Sequence, residues 1–182
     1  MKNRYFEVLI NPTENEMLEK EPLLAFSFYL SERNNILLLL ADEIVDNLDV
    51  GFSTSPVNIE LIGKASTSMW FWTLGAYEVI RTISQAKDCF SNEFIEKVNT
   101  LKKKLAIVRM PSAKMEEQGN NKKAVTSNRS PDGWDMDKKD LLVGSPHNPI
   151  SARYILQLYK DTIYSLTTTD IKKHHAESSM YL

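Results

Sequence analysis

The chain reads as all-α: an up-and-down four-helix bundle, with a long irregular insertion before the last helix and a short strand or arm at the N-terminus. Three observations predict it. Apolar residues recur at three- and four-residue steps in four separate segments, as one buried face of a helix requires. Short connections join the first three segments, which favours antiparallel neighbours. Between the third and fourth lies a run of about thirty residues rich in Asn, Ser, Pro, Asp and Gly, far longer than connections in compact domains usually are.

Residues 1–21 form the arm. Arg4 to Ile10 alternates weakly and is rich in Tyr, Phe, Val and Ile, the signature of a strand or extended segment, and Asn11-Pro12 ends it. Pro22 suits a first helical position, so the first helix is predicted from Pro22 to near Leu48, with Leu30, Leu37, Ala41, Ile44 and Leu48 on one stripe. The polar stretch Ser31 to Asn35 is where it would bend, and Gly51 to Pro56 reads as loop.

The second helix is predicted over Val57 to Cys89. Its stretch from Ala65 to Cys89 carries Met69, Trp70, Phe71, Trp72, Leu74, Ala76, Tyr77, Val79, Ile80 and Ile83, enough to cover more than one face and make a buried spine. Gly63 and Gly75 lie inside it, and a glycine costs about 1 kcal/mol in a helix interior, so close approach of a neighbouring helix accounts for Gly75. Ser91 is the expected N-cap of a third helix with Phe94, Val98, Leu101, Leu105 and Val108 on one face, stopped or kinked by Pro111. Helices one to three thus occupy residues 22–118, the loop 119–150, a last helix 151–168 with Tyr154, Ile155, Leu158, Tyr159, Ile163 and Leu166, and a mobile tail 169–182. No internal repeat interrupts this single domain.

Composition is that of an ordinary globular protein, 42% hydrophobic and 25% charged. The apolar run after Lys2 and Arg4 is too short for a signal peptide, and Ile36 to Ala41 falls well below the roughly 20 residues of a membrane span. No membrane association and a cytoplasmic location are therefore expected. The single Cys89 agrees with a reducing compartment. Net charge is −2, but residues 101–130 carry eight basic side chains against Glu116 and Glu117. A surplus of that kind meets a phosphate backbone or an acidic partner, or serves as a solvated helix face.

Catalytic patterns are scarce. No Glu-x-x-His pair, phosphate-binding glycine motif or nucleophile elbow occurs, so no cofactor is expected and no residue is assigned a catalytic role. Cys89 has no histidine near it in sequence and reads as a small buried hydrophobe. Asp132, Asp135, Asp137 and Asp140 are dense enough for a cation but lack calcium-loop spacing and stand beside Lys138 and Lys139, so turn and cap chemistry is expected instead of a metal. His174-His175 has no companion ligands at standard spacing, and His147, between two prolines, reads as a loop contact.

Three sets of residues are candidates for binding. Tyr77, Glu78 and Arg81 put a polar group on the aromatic helix; it is either a structural ion pair or the wall of a small-ligand pocket in which Arg81 takes an anion and Arg153 joins from the last helix. Lys102, Lys103, Lys104, Arg109, Lys122, Lys123 and Arg129 could contact nucleic-acid phosphates. Trp134 and Met136, apolar groups in the long loop, could fold back on the bundle or meet a protein partner.

The helical order, the long second helix and the stretch from Trp70-x-Trp72 to Arg81 resemble bacterial HEPN-type bundles over about residues 22–168. That resemblance implies an RNase, or an inactive relative of one, in a defence or toxin system. Active members carry an Arg followed four to six residues later by His, and no Arg of this chain is followed by His at that distance. The leading expectation is accordingly a non-catalytic bundle acting through a protein partner or self-association, as accessory or inhibitor in a bacterial or phage conflict system. RNA binding through residues 102–129 is the second expectation, and a ligand sensor or enzyme with a pocket near Arg81 the third.

Overall fold

The computed structural model describes residues 11–114, 133–145 and 148–173. The strand expected over Arg4 to Ile10 lies outside them. The described chain is mostly helical but is not purely all-α, because a small antiparallel sheet occupies part of the expected irregular insertion.

The segment expected to be an arm contains a helix, α1 (Glu14–Lys20). Thr13 and Glu16 form a reciprocal capping box: the Glu16 amide donates to Thr13 Oγ1 at 3.3 Å and the Thr13 amide to Glu16 Oε2 at 2.8 Å. Pro22 opens a 3-10 turn (Pro22–Ala25) rather than the first long helix. The chain restarts at Ser27, whose side chain accepts from the Leu30 amide and caps α2 (Phe28–Ser53).

No break interrupts α2 at Ser31–Asn35, where a bend was expected. Three of its polar side chains make tertiary bonds: Ser31 and Asn35 both donate to the Glu21 carboxylate at 3.0 Å, tying the helix to the preceding turn, and Asn34 accepts from Tyr159. The helix also continues past Leu48, since Gly51 and Phe52 are buried against the next element. At Gly51 a Cβ would stand 2.9 Å from Ile62 Cγ1, so the bare backbone permits that approach.

Helix α3 (Ile59–Gln85) starts at Asn58, whose Oδ1 accepts from the Leu61 amide at 3.2 Å. It runs antiparallel to α2, with Gly51 beside Ile62 at one end and Leu37 beside Gly75 further along. A Cβ on Gly75 would meet Leu37 Cδ2 at 2.9 Å, the close approach expected from the sequence. The spine expected to be buried on more than one face is buried on one side. Met69, Trp72, Ala76, Val79, Ile80 and Ile83 are interior, while Trp70 and Phe71 are exposed.

After a 3-10 turn (Lys87–Cys89), Ser91 caps α4 (Asn92–Lys114), accepting from the Phe94 amide at 3.2 Å. Its stripe Phe94, Val98, Leu101, Leu105 and Val108 is wholly buried. Pro111 neither stops nor kinks this helix out of existence: it sits in the last turn, where it withdraws one amide, that which would bond to Ile107. The turn is held by other groups. Ser112 Oγ donates to the Val108 carbonyl at 3.1 Å, and Trp70 Nε1 donates to the Ser112 carbonyl at 3.0 Å.

The sheet consists of β1 (Gly133–Asp135), β2 (Asp140–Ser145) and β3 (Asn148–Ser151), antiparallel in that order, with Trp134 opposite Leu141 and Val143 opposite Ile150. Leu141 and Val143 alternate into the core, which fixes the register because a one-residue slip would expose both. Gly144 has φ +96°, and its Cα side lies near the Ile107 carbonyl and Val108 Cα of α4. Only glycine adopts that conformation without strain, so it lets β2 lie along the end of α4.

Ser151 then caps α5 (Ala152–Tyr164), which contributes Ile155, Leu156, Tyr159 and Ile163 to the core and leaves Tyr154 exposed. The chain beyond it, expected to be mobile, is tied down as far as Lys172. The Ser91 amide donates to the Asp170 carbonyl at 2.7 Å, the Lys172 amide to Cys89 at 2.8 Å, and Ile171 bridges to Phe90. His174 and His175 lie outside the described residues. Helices α3, α4 and α5 pack as a bundle with α2 laid antiparallel on α3.

Candidate functional site

The seam between α3 and α4 brings together five of the polar candidates: Tyr77, Glu78, Arg81, Lys102 and Arg109. Trp70, Tyr77 and Ser84 stand seven residues apart on α3 and each meets a group of α4. Trp70 reaches Ser112; Tyr77 lies under the Arg109 guanidinium, 4.7 Å from ring centroid to Cζ; Ser84 donates to Asn99 Oδ1 at 2.8 Å and accepts from Lys102 Nζ at 2.5 Å. Such a repeat of seven keeps one face of a helix against its neighbour, which explains why three distant residues share one seam.

Glu78 stands between two cations. Arg81 Nε bonds its Oε2 at 2.7 Å, and Arg109 Nη2 lies 3.8 Å from its Oε1. Arg81 also donates to Gln85 Oε1 at 2.9 Å. Glu78 and Arg81 are nearly half exposed, so their pair contributes at most about 1 kcal/mol and serves mainly to set side-chain positions. Arg109 Nε is buried and has no hydrogen-bond partner among the described residues. The carboxylate already offsets the local positive charge, which lowers the attraction of this group for an anion.

Arg153, expected beside Arg81, engages a separate set of partners at the start of α5. Its guanidinium bonds Asp49 Oδ1 at 2.7 Å and the Lys139 carbonyl at 3.1 and 3.2 Å, and lies 3.9 Å from Asp140. Asp140 is buried and gathers the α5 N-terminus: it accepts from the amides of Leu141 at 2.8 Å and Arg153 at 3.3 Å and from the Ser151 hydroxyl. This junction joins α2, the sheet and α5.

Among the basic candidates, Lys102 and Arg109 belong to the α3–α4 seam, Lys104 lies over the Tyr154 ring at 5.5 Å, and Lys103 is exposed. Lys122, Lys123 and Arg129 lie outside the described residues. Trp134, in β1, and Met136, in the turn that follows, are 44% and 53% exposed. Nearby, Asp135 accepts from the Lys138 amide at 2.9 Å, and that backbone bond holds its carboxyl below the usual carboxylate range.

Asp132 and His147 fall outside the described residues, and among the described ones no group of three His, Cys, Asp or Glu side chains is placed to hold a metal. Cys89 is a free, half-buried thiol against the core. No described helix is long and apolar enough to cross a membrane.

The outer face of α2 was not singled out from the sequence. Tyr29, Ile36, Leu39 and Val50 are 61%, 54%, 47% and 52% exposed there, in register with Glu32, Glu43 and Asp46. The strict three-four spacing 29, 32, 36, 39, 43, 46, 50 was a legible signal, masked by the stronger core stripe of the same helix. No protein-family model, curated protein or solved structure matches the chain.

Proposed function

We propose that this protein works without catalysis, through contact with another protein. The observation that carries the reading is the number of large apolar side chains left outside a well-filled core: Trp134 on the edge strand β1 and Met136 in the turn after it, Trp70 and Phe71 on α3, Ile36 and Leu39 on α2. Single exposed hydrophobics are ordinary, but aromatic and methionine side chains grouped at the surface are enriched where proteins meet. An accessory or inhibitory role in a bacterial or phage conflict system, which the HEPN resemblance implies, is part of the same proposal.

Affinity capture from lysate with the wild-type chain and with a Trp134→Ser, Met136→Ser variant tests it. Both positions are exposed, so the variant is expected to fold, which circular dichroism verifies. Loss of a stoichiometric protein partner in the variant is the expected result; an unchanged set of captured proteins would remove this surface from the account. RNA binding is less favoured, since Lys102, Lys104 and Arg109 are each engaged within the chain.

A further inference from the structure

Helix α2 has two faces with different work. Its inner stripe fills the core, while Tyr29, Glu32, Ile36, Leu39, Glu43, Asp46 and Val50 step by three and four along the outside, and all seven are exposed. Spacing of this kind is the a/d seam of a coiled coil, confined to an arc of about 100° and extending about 32 Å. The seam carries three carboxylates and no base. Its flank holds Arg33, which is occupied with the Tyr29 ring at 4.8 Å. Among the described residues, Glu32, Glu43 and Asp46 have no ion-pair partner, and no lysine or arginine stands three or four residues from any of them.

A second copy of the same face is a poor occupant. Parallel pairing would set each carboxylate against its own counterpart. Antiparallel pairing in full overlap would set Glu32 against Asp46 and Glu43 against Ile36; a shift of one seam position would set Glu43 against Glu32, or, the other way, every acid against an apolar side chain. Each arrangement buries carboxylates without a counter-charge, which costs more than the apolar contacts of Ile36, Leu39 and Val50 return. A helix with lysine or arginine opposite the three acids and leucine or isoleucine opposite the apolar positions satisfies both halves of the pattern, since a long basic side chain covers apolar surface with its stem and pairs through its head.

We infer that the outer face of α2 is a docking seam for a basic amphipathic helix of a partner protein. The inference rests on the protein-contact reading above and adds the surface and the chemistry of what covers it.

The test uses the full chain and a designed helical peptide of about six turns with seam positions Leu-Lys-Leu-Leu-Lys-Lys-Leu, made in both chain directions, and a control with glutamate for each lysine. The lysine peptide is expected to bind in one direction, to weaken as salt rises, and to lose at least about tenfold in affinity for the Glu43→Lys, Asp46→Lys chain, which should instead take the glutamate peptide. Ile36→Ser, Leu39→Ser should abolish binding of either. No binding of the lysine peptide in either direction, equal binding of both peptides, or indifference to charge reversal would overturn the inference. So would a dimer of the free protein at neutral pH that Ile36→Ser, Leu39→Ser dissolves. If the captured partner depends on Trp134 and Met136 but not on Ile36 and Leu39, the seam assignment falls while the protein-contact reading stands; if it depends on neither pair, both fall.

Discussion

The phenol of Tyr159 donates a 2.9 Å hydrogen bond to Oδ1 of Asn34, and the two residues, 125 positions apart, are both buried. The Tyr159 ring meets Trp72 edge-on at 5.3 Å, and Trp72 Nε1 donates to the Leu37 carbonyl at 3.0 Å. Through this chain of contacts α2, α3 and α5 are held at one level. Because the Asn34 oxygen lies in a dry environment, its bond is worth more as an avoided penalty than as an attraction. Tyr159→Phe should therefore destabilise the protein by about 1–3 kcal/mol, read as a shift in urea midpoint with an unchanged slope.

The two glycines inside α3 should respond in opposite ways. Nothing lies within 4 Å of a Cβ built on Gly63, so Gly63→Ala should stabilise by about 0.5–1 kcal/mol through helix propensity alone. At Gly75 the same methyl would press on Leu37 Cδ2, and Gly75→Ala should lose that gain. Gly75→Val should cost about 1–3 kcal/mol in the same denaturation assay.

Asp140 stabilises the junction of α2, the sheet and α5. Asp140→Ala leaves the Leu141 and Arg153 amides without their acceptor and removes the carboxylate facing the Arg153 guanidinium. A loss of about 1–3 kcal/mol is expected. Hydrogen exchange should report the loss first at Leu141 and over the first turn of α5.

Asp170 makes the fastening of the C-terminal segment dependent on pH. Burial raises its carboxyl, but bonds from the Ser91 hydroxyl, at 2.5 Å, and from Thr167, with the charge of Lys97, outweigh that and hold it below the ordinary range. A lowered folded-state pKa gives stability that is present above the unfolded carboxylate value, about 3.9, and lost as pH falls through the folded value. Wild type should exceed Asp170→Asn in stability at neutral pH, and the two should converge in acid. A gap that stays constant with pH would contradict this assignment.

The legible part of the fold was its periodic part. The α4 stripe from Phe94 to Val108 and the approach of a neighbour at Gly75 follow from spacing and from the cost of glycine in a helix. Pro111 misled because a proline late in a helix removes one bond that tertiary contacts of Ser112 replace. The sheet was hidden because Leu141-Leu142-Val143 is too short a run to show a period, and its place along α4 involves a tertiary approach at Gly144. Helix α1 was written in Thr13 and Glu16 but is too short to carry an apolar stripe. As for the candidate site, Tyr77, Glu78 and Arg81 were legible as neighbours on one helix. Which distant cation joins them is a tertiary fact: Arg109 does, while Arg153 is drawn to Asp49 and Lys139.

The most direct measurement is affinity capture of the tagged full chain from a bacterial lysate divided into nuclease-treated and untreated halves, with proteins and nucleic acids both identified. The account predicts one protein partner recovered at near-equal stoichiometry in both halves. Nucleic acid recovered from the untreated half, with no protein surviving nuclease treatment, would contradict it and move the function to the basic segment that begins at Lys102.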